Sequence, residues 1–243
     1  MHILRSASIT ALALLLSATL GAGAALAQGR QGGPPAPPRM GFFVSSVGSG
    51  KGGNLGGIRG ADAHCQQLAT AVGAGDRSWR AYLSVTDLNG KGAINARDRI
   101  GTGPWFNAKE RIPDYLKRRL QRPIVGSEIH GDTLDEARRG SNLTKEFAVT
   151  EKGELINGIG DPLPTLHDML TGTQPDGRAY TDTADHTCNN WTSNGAGSAQ
   201  VGHSDRIGNG NQSWNSSHAT TGCSQRDLQS WGGEGRFYCF AVN

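Results

Sequence analysis

The residues best suited to chemistry in this 243-residue chain are its four cysteines, its seven histidines and a few acids, amides and tryptophans in the last third. Cys65 stands alone early, and Cys188, Cys223 and Cys239 come late. No two have C-x-x-C spacing, which argues against a thiolate metal site. In an oxidising compartment an even number of cysteines reads as disulfides, with three pairings open. His186, His203 and His218 are candidate zinc ligands, but their spacings match no compact zinc motif, so a site must be assembled in space. His167-Asp168 and Asp185-His186 place acid beside imidazole, the pair that general acid–base work uses, although sequence neighbours need not face one another. The chain has no G-x-S-x-G and no H-E-x-x-H, and no thiol is left if all cysteines pair, so it reads as a binding protein rather than an enzyme.

Gln174-Pro175-Asp176-Gly177 has strong turn chemistry, with proline then Asp-Gly. Of five tryptophans, Trp79 and Trp191 fall in strand-like segments and read as core. Trp214 and Trp231 lie among glycines and serines, where an exposed indole face can stack on the apolar face of a sugar. Gly48-Ser49-Gly50-Lys51-Gly52-Gly53 fits G-x-G-x-x-G, but no helix opens at Gly53 and Lys51 lacks a following Ser or Thr. It reads as a loop. Four N-x-[ST] sequons occur, at Asn142, Asn190, Asn211 and Asn215.

The elements that must position these residues begin after an export signal. Arg5, the apolar run from Ile9 to Leu20 and Ala25-Leu26-Ala27 have the order of a cleavable secretory peptide over residues 1–27. The apolar run is shorter than the roughly 20 residues of a membrane span. Residues 28–40, with Pro34, Pro35, Pro37 and Pro38, read as an extended spacer. Residues 41–243 are then long enough for one domain. Loss of residues 1–27 removes Arg5 and no acid, lowering the formal net charge from +3 to +2, too little for a nucleic-acid footprint. The one dense basic cluster, Lys117-Arg118-Arg119 with Arg122, reads as a solvated helix face.

Glycine contributes 36 residues without a repeat, which favours short strands joined by long turns. Strands are expected at Phe42–Val47, Trp79–Val85, Cys188–Thr192, Gln200–His203 and Phe237–Val242. A helix is expected from about Asp62 to Val72, with Cys65 on its buried face, and shorter helices at Asp114–Leu120 and Thr165–Leu170. A hairpin is expected around Glu151-Lys152-Gly153-Glu154, and residues 86–110 read as irregular. The fold class is α+β with few helices.

Several stretches resemble bacterial exported proteins of the C-type-lectin-like and endostatin-like fold, often labelled lectins. They are Gly56-Gly57-Ile58-Arg59-Gly60-Ala61-Asp62-Ala63-His64-Cys65, Arg97-Asp98-Arg99-Ile100-Gly101-Thr102-Gly103-Pro104-Trp105-Phe106-Asn107, His167-Asp168-Met169-Leu170-Thr171-Gly172, Cys188-Asn189-Asn190-Trp191-Thr192 and Phe237-Tyr238-Cys239-Phe240. The resemblance implies the bonds Cys65–Cys239 and Cys188–Cys223, a long loop region between the inner pair, and a calcium-assisted sugar site. Sugar-binding members of the fold place EPN or QPD before the second cysteine and WND before the third. Here Gln174-Pro175-Asp176 and Trp214-Asn215-Ser216 stand in that order, so Gln174, Asp176, Asp185 and Asn215 become the expected calcium ligands, with Trp214 and Trp231 beside the sugar. Ser216 stands where the motif carries aspartate, which removes one charged ligand. Endostatin binds zinc near its N-terminus, but Gly41-Phe42-Phe43 offers no histidine there.

The expectation is therefore a secreted or periplasmic module that binds a glycan or other extracellular ligand through residues 172–235. The alternative is a structural or adhesion domain that binds protein through the same surface without metal or sugar.

Overall fold

A computed structural model describes residues 39–87, 90, 92–108, 143–206 and 210–243. The expected helix at Asp114–Leu120, the basic cluster of Lys117, Arg118, Arg119 and Arg122, the signal segment and most of the proline spacer lie outside these residues. Within them the fold is α+β, with short helices, two sheets and two disulfides. No helix among the described residues is long and apolar enough to cross a membrane.

The first sheet joins the two ends of the domain. Strand β7 (Tyr238–Ala241) lies in its centre, paired antiparallel with β1 (Phe42–Val44) and β2 (Trp79–Ala81). Alternation along β7 separates two cores. Cys239, opposite Phe43 and Ala81, faces helix α1 (Gly57–Ala71). Tyr238 and Phe240 face the other way, into an aromatic layer with Phe42, Tyr82, Trp105 and Trp214.

Helix α1 presents Ala61, Cys65 and Ala69 on one buried stripe, small enough for close approach to the sheet. It starts earlier than expected, after Gly56 at φ 75°. Asp62 does not cap it. That carboxylate instead accepts from the Ala81 backbone N–H at 2.9 Å and from the Arg99 guanidinium at 2.7 and 2.6 Å. Arg99 lies on α2 (Ala96–Ile100), inside a stretch expected to be irregular. The pair locks α1, β2 and α2 together.

The second sheet runs β5 (His218–Ala219), β4 (Gln200–His203), β3 (Asp168–Leu170), β6 (Gly233–Arg236). Strand β3 replaces the helical turns expected at Thr165–Leu170. Residues Asp168, Met169 and Leu170 are all buried, and they take their backbone partners from β4 on one side and β6 on the other. A short helix α3 (Gln225–Gln229), closed by a Ser224–Asp227 capping box, precedes β6. The expected hairpin at residues 151–154 is only a tight turn, closed by Thr150 N–H to Glu154 O at 2.9 Å.

Cys65–Cys239 and Cys188–Cys223 form the two disulfides, spanning 174 and 35 residues. Cys188–Thr192, expected as a strand, is instead a left-handed turn. Cys188, Asn189, Asn190 and Trp191 have φ of 50, 54, 54 and 66°. Such a conformation costs residues such as Cys188 and Trp191 roughly 1–2 kcal/mol each, and asparagine less. Tertiary bonds offset that cost. Asn190 Oδ1 accepts from Thr86 N–H at 2.9 Å, Asn190 Nδ2 donates to Thr86 O at 3.0 Å, and Trp191 Nε1 donates to Ser84 O at 2.8 Å.

Two stability predictions result. Replacing Cys65 and Cys239 together by alanine should lower unfolding free energy by about 5 kcal/mol, and the Cys188/Cys223 pair by about 4 kcal/mol, on the loop-closure model. Denaturant melts of the oxidised full chain check the order. Asn190→Ala should cost roughly 2–4 kcal/mol, because it strands the buried Thr86 N–H and C=O. A loss below 1 kcal/mol would show that the turn does not depend on Asn190.

Candidate metal centre

The register of the second sheet assembles a cluster that sequence spacing hides. Asp168 lies directly opposite His203 across β3 and β4. His218 lies opposite Val201, two residues before His203. Residues directly opposite in antiparallel strands share a face, as do residues two apart. Asp168, His203 and His218 therefore project from one face, and His167 joins them from the end of β3. His167 Nε2 and His203 Nε2 lie 3.3 and 3.2 Å from Asp168 Oδ1, and His218 Nε2 lies 3.6 Å from Asp168 Oδ2. The rings of His167 and His203 are stacked, with centroids 4.3 Å apart and planes 4° from parallel. Donor atoms of His167, Asp168 and His203 all lie within 4.8 Å of one another, the one such group among the described residues.

The tautomers are set by the other ring nitrogens. His167 Nδ1 meets Asp205 Oδ1 at 2.8 Å, His203 Nδ1 meets Asn211 O at 2.9 Å, and His218 Nδ1 meets Ala219 O at 3.2 Å. A carbonyl or carboxylate oxygen only accepts, so each Nδ1 carries the proton. Each Nε2 then aims a lone pair, or a second proton, at Asp168. Asp168 is 3% exposed, and neither of its oxygens has a hydrogen-bond partner; His203 Nε2 has none either. Lone pairs facing a buried carboxylate repel it, so a cation belongs between them.

Protons are one such cation. Burial pushes the Asp168 carboxyl up, but the facing His203 and His218 rings outweigh that and hold it below the usual range. Asp168 in turn raises His218. A divalent ion is another, and His167, Asp168 and His203 are close enough together to hold one. A tetrahedron with bonds near 2.0–2.1 Å has donor–donor edges of about 3.3 Å, close to the 3.2 and 3.3 Å observed. Imidazole nitrogen with one carboxylate suits zinc and its neighbours, whereas calcium takes six to eight oxygens.

Asp205 is the outer partner of this group. Its Oδ2 accepts from Ile159 N–H at 2.8 Å. Gly158 makes room for it, since a Cβ there would fall 2.2 Å from Asp205 Oδ2. Burial pushes this carboxyl up, but the bonds from His167 and Ile159 N–H and the nearby positive charges bring it down to about 2. It stays ionised and holds His167 in the ligating tautomer.

The residues expected to bind calcium are placed differently. Gln174 to Gly177 form a β-turn, with Gly177 N–H bonded to Gln174 O at 2.9 Å. Gln174 Nε2 donates to Ala179 O at 2.8 Å, and Asp176 is paired with Arg178. Asn215 is buried; its amide donates to Tyr82 Oη and Pro175 O, each at 3.1 Å, and its Oδ1 accepts from Ser213 at 2.9 Å. Asp185 Oδ1 accepts from Thr187 N–H at 3.0 Å and its Oδ2 from Asn189 N–H at 3.0 Å, supporting the left-handed turn. Asn215 lies beside the 174–177 turn, so those two stretches do meet, but Asp176, Asp185 and Asn215 have their side-chain oxygens committed to protein donors. Trp214, expected to be available to a sugar, is buried against Tyr82 and Tyr238. Trp231 is 55% exposed, as expected, and stands 6.0 Å from the His218 ring. His186 is engaged elsewhere, stacked on Tyr180 at 3.7 Å with Nε2 toward Asp182 at 2.9 Å.

Sequence reasoning thus named all four residues of the cluster, but in separate hypotheses: His203 and His218 as zinc candidates, His167-Asp168 as an acid–base pair. It missed Asp205, whose only signal is a carboxylate two residues after a candidate ligand. A scan against protein-family models returned no match to the chain, and a search of curated proteins returned none either.

Proposed function

We propose that the protein is an exported, disulfide-held domain of C-type-lectin-like architecture. It binds one divalent transition-metal ion, zinc by the chemistry of its donors, through His167, Asp168, His203 and His218, and presents that ion to a ligand at the loop surface. The observation that carries the reading is the buried Asp168 carboxylate, without a hydrogen-bond donor, faced by His167 and His203 Nε2 at tetrahedral-edge distances and by His218 Nε2 at 3.6 Å. The architecture is supported by the pairing of β1 with β7 and by the two cysteine bonds that the resemblance implied. Export is supported by the signal-like residues 1–27 and by the two disulfides, which persist in oxidising compartments.

Zinc is the better fit than calcium because the candidate cluster offers three nitrogens and one carboxylate. Bound zinc would supply a Lewis-acidic centre; the chain supplies the fixed tautomers, the buried carboxylate and the Asp205 support.

Thermal unfolding of the metal-free protein tests this. Zinc at about 100 times its dissociation constant should add about 2.7 kcal/mol, raising Tm by roughly 5–10 °C for a domain of this size. Calcium should leave Tm unchanged, and His203→Ala should abolish the zinc increment whatever its own starting Tm. An equal zinc increment in wild type and His203→Ala would sink the assignment. Asp205→Asn should fold and still bind zinc, but 10–100-fold more weakly, because the outer carboxylate fixes and polarises His167. Unchanged affinity by calorimetry would remove Asp205 from the centre.

A further inference from the structure

We infer that the metal centre is open on one side, between His218 and the Trp231-Gly232 segment, and takes there a ligand that carries a carboxylate on a six-membered ring with an apolar face. This rests on the zinc reading given above.

The cluster is asymmetric. His167, Asp168 and His203 are almost fully buried, whereas the His218 side chain is 28% exposed, on the edge strand β5 of the sheet. Its Nε2 is also the farthest from Asp168, at 3.6 Å. Access to the ion is from this side. The adjoining wall is Trp231-Gly232-Gly233, tied to the site by Asp168 N–H to Gly232 O at 3.0 Å. Gly232 has φ +101°, and a Cβ there would lie 3.3 Å from His167 Cδ2 and 3.5 Å from His167 Nε2. The absent side chain leaves the approach to that donor nitrogen clear. Immediately before it, Trp231 turns an exposed indole to solvent beside His218, ring centroids 6.0 Å apart and planes at 49°.

These features specify two kinds of contact. A divalent ion held by three neutral imidazoles and one carboxylate retains one positive charge, so an anionic oxygen is the donor that best suits a fifth position beside His218, the farthest of the four. An exposed indole next to it gives a flat apolar surface for a sugar or aromatic ring. A uronic acid and an aromatic acid share this chemistry.

The full chain is loaded with zinc, and metal stoichiometry is measured before any ligand is added. Tryptophan fluorescence and calorimetry then follow titration with glucuronate, benzoate, acetate and methyl glucoside. At least one ring acid should bind about three- to tenfold more tightly than acetate, the increment expected from stacking, and methyl glucoside should not compete. The better of glucuronate and benzoate identifies the ring. Trp231→Ala should retain one zinc and lose the advantage of the ring acid over acetate, and Trp231→Phe should restore part of it. The proposal is overturned if ring acids bind the zinc-loaded protein no better than acetate, if the metal-free protein binds them equally, or if Trp231→Ala changes nothing. Zinc absent at the stoichiometry step would overturn the proposal together with the reading beneath it.

Discussion

A carboxylate with no donor, enclosed between the strands of a sheet, is the constraint around which this protein is arranged. Taking such a charge out of water costs several kcal/mol unless a cation compensates it. Among the described residues, the ion-pair partners of Asp168 are three imidazoles whose outer nitrogens are held as donors to other oxygens. That arrangement favours a shared, compact positive charge. Strand register, the Gly158 cut-out for Asp205 and the glycine-lined wall of β6 all become intelligible as ways of keeping four donors and one outer carboxylate in place.

The scaffold makes this placement possible at a distance. Strand β7 bonds to β1 and β2, is cross-linked to α1 through Cys239, and reaches toward the second sheet through Tyr238 Oη, which donates to Trp214 O at 2.8 Å. Trp214 belongs to the segment that ends at β5, so the aromatic core lies next to the chain that delivers His218. The second disulfide ties the left-handed turn at Cys188–Trp191 to Cys223, beside the hydrogen bonds that hold it. Rigidity of this sort is what a ligand set on separate strands requires, since affinity depends on donors being held near their bound positions.

Much of the frame was legible in the sequence. Strands at Phe42, Trp79, Gln200 and Phe237, the helix carrying Cys65, the turn at residues 174–177 and the exposed Trp231 all follow from local patterns of β-formers, apolar spacing and turn residues. The failures have a common cause. Asp168–Leu170 is too short for a period and takes its structure from two flanking strands. Cys188–Trp191 carries two consecutive asparagines, which suit the left-handed region better than a strand, and tertiary bonds hold all four residues there. The candidate metal centre was legible only as parts, because its residues come from three segments and meet through register, a property of strand pairing that no single segment encodes. The calcium motif illustrates the converse: Gln174-Pro175-Asp176 and Trp214-Asn215 are present and do approach one another, yet local turn chemistry and burial commit their polar atoms to the fold.

The central claim concerns what lies between Asp168 and the three imidazoles. Zinc-edge X-ray absorption on the protein loaded with one equivalent of zinc tests it most directly. The account predicts a shell of nitrogen and oxygen at about 2.0–2.1 Å, with outer-shell scattering from three imidazole rings that drops to two in His203→Ala. A shell of water oxygens with no imidazole scattering, or a spectrum unchanged in His203→Ala, would contradict it.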